Sequence, residues 1–199
     1  GGTIGIEGDG LDLRTTDYTA ILARVVEVNA GIWANDLKVI TGTNAIDATT
    51  LSANMNPLVA PVVISSTKPE IALDVAQLGG MYAGKIFLLG TEAGLGVRSA
   101  GVMGTSGGNL VLQNNGPLTN SGTMQAKGDL QITTQANVTN SGTLYATGLQ
   151  TITAPSNLQN NGSIVSEGDS VISANGLNSS QNSSISSQGN LDIRLQSDF

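Results

Sequence analysis

The residues best suited to chemistry in this chain are three aspartates near its start, together with one arginine. Asp9, Asp12 and Asp17 form a local acidic cluster, and Arg14 lies among them. Paired carboxylates, or a carboxylate beside a cation, can cleave glycosidic bonds by general acid and base catalysis. The cluster keeps open a surface polysaccharide-degrading enzyme, although a solvated corner of a structural domain explains the same residues better.

Composition removes most other catalytic and metal-binding chemistry. The 199 residues include no cysteine and no histidine, so thiolate nucleophiles, disulfides and imidazole bases or ligands are absent. The formal net charge is −7, and eight dispersed basic residues form no stripe that could neutralise a nucleic-acid backbone. We therefore predict no enzyme activity, no catalytic residue, no cofactor, no metal site and no nucleic-acid partner.

Two glycine-rich runs and three aromatic side chains remain as candidate binding features. The runs 94–96 and 104–108 lack the Gly-Lys-Ser/Thr ending of a phosphate loop, and no tandem calcium-binding nonapeptides occur. Trp33, Tyr82 and Phe87 could form a sugar-binding surface, but scattered aromatics are more often part of a core or a corner. The structural interpretation is preferred for both features.

The composition of the chain favours an all-β fold. Hydrophobic residues make up 39% of the chain, yet only 12% is charged and 3% aromatic, and the apolar runs are short and broken by Gly, Asn and Ser. Long helices need uninterrupted helix-forming residues, whereas this punctuation is typical of short strands. No apolar run approaches the roughly 20 residues that span a bilayer, so no membrane span is predicted.

An internal repeat in the second half of the chain indicates which secondary-structure elements hold the candidate residues in place. A Gly-x-Leu-x-Leu pattern that begins at Gly108 recurs at Gly128, and more loosely after two further periods of the same length. A second landmark keeps the same period and begins at Asn120, Asn140 and Asn160. The last repeat is one residue longer. A fixed period of this kind is the signature of a repeat architecture.

Each repeat contains two clear pairs of alternating apolar residues and a weaker third, which indicates three short strands. Met124 with Ala126 and Leu130 with Ile132 are such pairs, and Val138 belongs to the third. Alternating side chains allow three strands to share one interior, which stacked coils about 4.8 Å apart would bury. We predict a three-sided parallel β-solenoid of about 20 residues per coil; an antiparallel sheet of Asn-Gly hairpins is the alternative.

Asparagine and glycine of the second landmark fit the corners between strands. Both residue types tolerate the left-handed backbone conformation that tight corners require. The amides of Asn120, Asn140 and Asn160 are expected to stack in a hydrogen-bonded ladder. Residues 43–70 interrupt the pattern with Pro57, Pro61 and Pro69, so we predict an excursion outside the solenoid, with a short hairpin around 62–64.

Four separate blocks of sequence resemble one family. The string from Leu78 to Arg98, with glycines between short apolar strands, closely resembles filamentous-haemagglutinin-type exoproteins of two-partner secretion systems. The blocks 11–18 and 28–37 are similar to the later part of that family's secretion domain, and the repeats after Gly108 resemble its haemagglutinin repeats. The family includes adhesins, cytolysins and contact-dependent growth-inhibition proteins.

The resemblance implies a right-handed parallel β-helix that a partner transporter in the outer membrane of a Gram-negative bacterium exports. The expected location is the cell surface or the medium, and the expected partners are that transporter and, through the full-length protein, a receptor on a host or neighbouring cell. We expect residues 1–104 to form the later part of the secretion domain, with the excursion, and 105–199 to form haemagglutinin-repeat coils, in one continuous solenoid.

The predicted function is that of a structural and adhesive stalk in a large secreted virulence exoprotein. The motifs of the family that engage the transporter are not visible in this chain, so we expect it to start inside the secretion domain. Two alternatives stay open: the polysaccharide-degrading enzyme, and a haemolysin or host-protein capture exoprotein of the same family.

Overall fold

The computed structural model describes residues 2–43 and 68–196, in which all regular structure is β-strand. Most of the predicted excursion, with its hairpin around 62–64, lies outside these residues. The twenty strands are β1 Thr3–Ile6, β2 Leu11–Asp12, β3 Thr19–Ala23, β4 Val25–Val28, β5 Gly31–Thr41, β6 Ile71–Val75, β7 Gly80–Gly90, β8 Gly96–Ser99, β9 Val102–Thr105, β10 Leu110–Asn114, β11 Leu118–Asn120, β12 Thr123–Ala126, β13 Leu130–Thr134, β14 Val138–Asn140, β15 Thr143–Ala146, β16 Gln150–Asn160, β17 Ser163–Ser166, β18 Ser170–Ser179, β19 Ser184–Ser187 and β20 Leu191–Leu195.

Three parallel sheets enclose the interior. Face 1 contains β1, β4, β6, β8, β11 and β14; face 2 contains β2, β9, β12, β15, β17 and β19; face 3 contains β3, β10, β13 and β20. The long strands β5 and β7 run from face 2 into face 3, and β16 and β18 run from face 3 into face 1. Each coil visits the faces in the same order, which confirms the predicted parallel β-helix over the antiparallel alternative.

The register between coils confirms the period predicted for the second half. Leu110 pairs with Leu130 at the predicted step, and Ile164 pairs with Ile185, where the coil is one residue longer, as predicted. Coils of the first half differ in length, since Thr19 pairs with Leu37 over a shorter step, whereas Ile86 pairs with Leu110 over a longer one. The described coils therefore stack in parallel despite their unequal lengths, with register shifts between Ile71 and Leu73 in β6 and between Ala154 and Asn157 in β16.

The interior is one continuous apolar column. The predicted inward positions of the second half are fully buried up to Ile172, whereas Ile185 in the last coil is partly buried: the fully buried set is Leu110, Leu112, Met124, Ala126, Leu130, Ile132, Val138, Ile152, Leu158, Ile164 and Ile172. Burying a side chain of this size contributes roughly 1.5–3 kcal/mol. Ile193 was expected in the same column, but its side chain is 40% exposed because β20 has no described coil above it.

The repeat glycines Gly122, Gly142 and Gly162 lie at the corner between faces 1 and 2, and close contact between coils explains them. We expected left-handed backbone there, and this is wrong: the described glycines with positive φ are Gly8, Gly10, Gly42 and Gly94. A Cβ atom on Gly142 would instead lie 2.0 Å from the carbonyl oxygen of Gly122 in the coil beneath. Glycine is required because stacked backbones approach too closely for any side chain.

The predicted asparagine ladder is present at the C-terminal ends of the strands on face 1. Asn120 Nδ2 donates to Asn140 Oδ1 at 2.8 Å, and Asn140 Nδ2 donates to Asn160 Oδ1 at 2.9 Å. All three side chains are fully buried. Their pairing satisfies side-chain groups that would otherwise be costly to bury, except Asn120 Oδ1, which has no partner among the described residues, so the ladder stabilises the stack.

A second ladder, at the corner between faces 2 and 3, was missed from the sequence. Asp129 N donates to Asn109 Oδ1 at 2.8 Å, and Leu149 N donates to Asp129 Oδ1 at 2.9 Å. Two coils further on, Asn190 N donates to Asp169 Oδ1 at 2.8 Å. The available signal was an Asn or Asp directly after the corner glycine, as at residues 108–109, 128–129 and 168–169.

Candidate functional site

An aromatic pair stands on the outer surface of face 2. Trp33 in β5 pairs in register with Tyr82 in β7, so the two side chains project from adjacent coils. Their ring centroids are 6.1 Å apart and their planes differ by 16°. Because side chains alternate along a strand, their neighbours Ile32 and Met81 point inward and are fully buried. Trp33 and Tyr82 are surface residues, not core residues.

Both rings fold back over the glycine two residues earlier on their own strand. A Cβ atom on Gly31 would lie 2.3–2.9 Å from three atoms of the Trp33 ring, and one on Gly80 would lie 2.7–2.8 Å from three atoms of Tyr82. Any side chain at either glycine would displace the ring. The two glycines thus allow the rings to lie along the sheet, and we call the two rings the aromatic platform.

A groove adjoins the aromatic platform in the direction of the next coils. Gly104 pairs with Tyr82 on one side and with Gln125 on the other, and a Cβ atom placed on Gly104 would meet no atom within 4 Å. The open space above Gly104 belongs to a cleft of about 560 Å³, which we call the face 2 groove. Besides the platform, Gly104 and Gln125, its polar lining residues are Arg14, Asn35, Thr105 and Ser106.

The acidic cluster considered as a catalytic centre borders this groove through one ion pair. Arg14 Nε and Nη2 donate to the two Asp12 carboxylate oxygens at 2.9 and 2.6 Å. These hydrogen bonds lower the pKa of Asp12 to about 2, so the carboxyl is ionised at neutral pH and holds no proton to donate. Asp9 and Asp17 are exposed. The arrangement resembles a solvated corner more than an acid–base pair.

Of the other features considered from the sequence, the run 104–108 contributes residues 104–106 to the groove, whereas Phe87 and the run 94–96 lie apart from it. Phe87 is on face 3, with Lys38 Nζ 5.4 Å from its ring centroid. Gly94 lies in the turn before β8, with φ of 79°, and not at the start of a helix. Over residues 2–43 and 68–196, no three acidic side chains converge where a cation could bind.

Among the residues that the structure describes, three ion pairs connect positions that are distant in sequence. Arg24 Nε and Nη2 donate to the Glu92 carboxylate at 3.0 and 2.7 Å, with side chains only 9% and 13% exposed. The guanidinium lowers the pKa of Glu92 by hydrogen bonding. Lys85 Nζ lies 2.8 Å from Asp36, and Arg98 pairs with Asp74, in both cases between adjacent coils. These pairs tie the irregular coils of the first half together.

The sequence singled out Trp33, Tyr82, Arg14 and the run 104–108 separately, but it did not show that they line one groove with Gln125. Gly104 and Gln125 look like ordinary strand and corner residues, and only the register shows that they flank Tyr82. One local signal was available: a Gly-x-aromatic triplet occurs at both platform positions, in residues 31–33 and 80–82. Such a triplet allows an aromatic ring to lie over its glycine.

Two families match the chain. Residues 1–126 match the TPS secretion domain, and residues 145–195 match the haemagglutinin repeat. A TPS secretion domain implies export through a partner transporter, and proteins built from these modules are secreted and displayed on the bacterial surface. No solved structure gives a significant match. The described residues contain no helix with the length and apolar character to cross a membrane.

Several curated relatives share the matched region. Toxin CdiA of Yersinia pestis is 47% identical over 133 residues, which cover 67% of this chain and 4% of the relative. The tRNA nuclease CdiA-2 of Burkholderia pseudomallei is 42% identical over 125 residues, covering 63% of this chain and 4% of the relative. The 16S rRNA endonuclease CdiA of Enterobacter cloacae is 34% identical over 120 residues, covering 57% and 3%.

The family assignment rests on agreement between the fold and these matches. The chain corresponds to only 4% of the length of the first two relatives. The TPS match nonetheless covers more than half of the chain and includes the coils that carry the aromatic platform and the groove. The chain belongs to the family of two-partner secretion (TPS) secretion domains.

Proposed function

We propose that this chain is a shaft segment of a large exoprotein of the contact-dependent growth-inhibition class, exported by an outer-membrane partner transporter. The TPS match and the relatives named toxin CdiA support the class. The observation that carries the proposal is the uninterrupted interior, in which each coil covers the apolar residues of the previous one. Such a column is a stiff spacer that holds a distal module away from the cell.

The coil-on-coil contacts also suit export. Once β13 has left the transporter, it can pair with β10 of the preceding coil. Leu130 and Ile132 then stack on Leu110 and Leu112, and no later part of the sequence is needed for these contacts. Folding that advances one coil at a time stabilises the part of the chain already outside. We propose that this free energy biases movement outward through the transporter, first over coils of residues 1–104 and then over the regular repeats of 105–199.

The proposed shaft leaves nuclease activity and receptor binding to the rest of the full-length exoprotein. Relatives are named tRNA nuclease and 16S rRNA endonuclease. This segment has a net charge of −7, and each of its four arginines is paired with a carboxylate. Binding of nucleic acid depends on cationic groups free to contact phosphates, so these features support a non-catalytic role here. A host or neighbouring-cell receptor is the proposed partner of the complete molecule.

The test combines export with stability in the full-length exoprotein and its transporter. Leu130→Ala removes a fully buried side chain, and we expect the free energy of unfolding to fall by roughly 2–5 kcal/mol, together with the secreted fraction. Leu149→Ala is the matched control, because Leu149 is 42% exposed, and it should change neither. Unfolding in urea and immunoblots of the medium give the two readouts. Wild-type secretion of a destabilised Leu130→Ala protein would contradict the coupling.

Polysaccharide cleavage, the rival function, is disfavoured by the bidentate engagement of Asp12 by Arg14. We expect no release of reducing ends from polygalacturonate or hyaluronan by the purified chain. Release that disappears in the Asp12→Asn variant would establish the enzyme instead.

A further inference from the structure

The aromatic platform offers a flat apolar surface to solvent. Trp33 and Tyr82 are near-parallel and cover the glycines of two adjacent strands, and Tyr82 is 39% exposed. A planar aromatic face stabilises a flat apolar partner by excluding water from both. Pyranose rings present such a partner, because the axial C–H groups on one side of the ring form an apolar face while the hydroxyls project from the edge.

Neutral hydrogen-bonding groups line the groove beside the platform. Asn35 Nδ2 donates to the carbonyl oxygens of Arg14 and Thr16 at 2.9 and 2.8 Å, which fixes the amide and leaves Oδ1 as an acceptor. Within the described residues, Gln125 and Ser106 use none of their side-chain donors or acceptors in internal hydrogen bonds. These groups match the mixture of donors and acceptors that sugar hydroxyls provide.

The charge of the groove is compensated locally. Its cation, Arg14, has its guanidinium paired with Asp12, and the other polar lining residues are uncharged. An anion would need a cation free to bind it, so phosphate, sulfate and acidic sugars are disfavoured. The volume of about 560 Å³ lies within the roughly 300–1,000 Å³ typical of small-molecule sites.

We propose that the face 2 groove binds a neutral oligosaccharide, with one sugar ring stacked on the Trp33–Tyr82 platform and the next lying in the notch above Gly104. This is a binding function beyond the proposed shaft role and does not depend on export. Asn35 and Gln125 hydrogen-bond the hydroxyls from the two sides of the notch. Gly104 contributes to the shape of the site, because a long side chain at position 104 would occupy the open space above the strand.

The chain contains its own reporter for this proposal. Trp33 is its single tryptophan, so a saturable change in intrinsic fluorescence reports directly on the platform. The purified 199-residue chain is titrated with cellotetraose, chitotetraose and maltotetraose up to about 10 mM, and binding is confirmed by calorimetry. We expect saturable binding of at least one of these probes. Absence of binding by all three, or binding of only an anionic tetragalacturonate, would overturn the proposal.

A pair of glycine variants locates the site. Gly104→Gln fills the notch without meeting any atom near the backbone, so it should fold normally yet weaken binding at least tenfold. Gly107→Gln is the matched control: its Cβ also meets nothing within 4 Å, it lies outside the groove, and it should bind as the wild type does. Tyr82→Ala should likewise weaken binding while leaving the melting temperature within a few degrees. Unchanged binding in Gly104→Gln would place the sugar elsewhere and refute the assignment.

Discussion

At the scale of single residues, Gly142 illustrates how each coil constrains the next. The carbonyl oxygen of Gly122 lies where a Cβ of residue 142 would have to be, and Gly162 has the same relation to Gly142. The constraint comes from stacking and acts through contact between backbones. The same glycine in an isolated turn would be replaceable, because its φ is not in the left-handed region.

The first prediction therefore contrasts two glycines. Gly142→Ala places a methyl group 2.0 Å from a carbonyl oxygen, and we expect the free energy of unfolding to fall by about 1–3 kcal/mol as the coils separate. Gly107→Ala, with open space around the new methyl group, should stay within about 0.5 kcal/mol of the wild type. Urea unfolding followed by circular dichroism measures both. Equal costs would show that backbone conformation, and not coil contact, selects the corner glycine.

The asparagine ladder was predictable at this scale, whereas the role of the corner glycines was not. The ladder asparagines recur with constant spacing, at Asn120, Asn140 and Asn160. In a parallel stack, the side-chain amide of each coil therefore lies next to the same amide of the adjacent coil and can hydrogen-bond to it. The glycines recur with the same spacing, but close contact and left-handed backbone give the same sequence signal. Only the distance to the coil beneath separates the two causes.

At the scale of elements, a buried ion pair joins two corners of the irregular half. Arg24 lies between β3 and β4, and Glu92 lies two residues after the end of β7. The bidentate contact leaves both side chains nearly inaccessible. Loss of one partner would leave the other charge buried without compensation, which costs more than the pair itself contributes. The pair is therefore a sensitive point of the irregular half.

The second prediction concerns this pair and pH. Glu92→Gln should lower the free energy of unfolding at pH 7 by about 3 kcal/mol. The fold lowers the pKa of Glu92 below its ordinary value of 4.5, so the stabilisation is present above pH 4.5 and is lost as pH falls through the folded pKa. The difference between variant and wild type should thus shrink in acid. Asp192→Asn, in an exposed pair with Arg194, is the control and should leave the stability nearly unchanged. A pH-independent difference would contradict the assignment.

The register of the first half could not be predicted from the sequence because its coils have no common length. Leu37 pairs with Ile86, and Ile86 pairs with Leu110, so the first of these two steps is about twice as long as the second. Without a period, nothing in the sequence indicates that Trp33 and Tyr82 are neighbours, and the platform becomes visible only through pairing. In the second half the constant step between coils fixes the partners directly, and there the predicted core is confirmed.

At the scale of the whole molecule, stability is distributed along one axis. Interior residues of the central coils contact their own coil and the coils directly above and below, so the core is a column of similar local contacts. Stability in such an arrangement approximates a sum of coil and interface contributions. The consequence is that identical side chains contribute differently according to how many neighbouring coils cover them.

Ile132 and Ile193 test this distribution, because both occupy the inward column of face 3. Ile132 is fully buried between β10 and β16, whereas Ile193 in β20 is 40% exposed. In the purified 199-residue chain, we expect Ile132→Ala to lower the free energy of unfolding by about 2–5 kcal/mol and Ile193→Ala by less than about 1 kcal/mol. Hydrogen exchange should show the same gradient, with amides of β13 protected longer than those of β20, because outer coils open locally before the stack unfolds. Equal costs and uniform protection would mean that the coils unfold as a single cooperative unit, and folding could not then advance coil by coil during export.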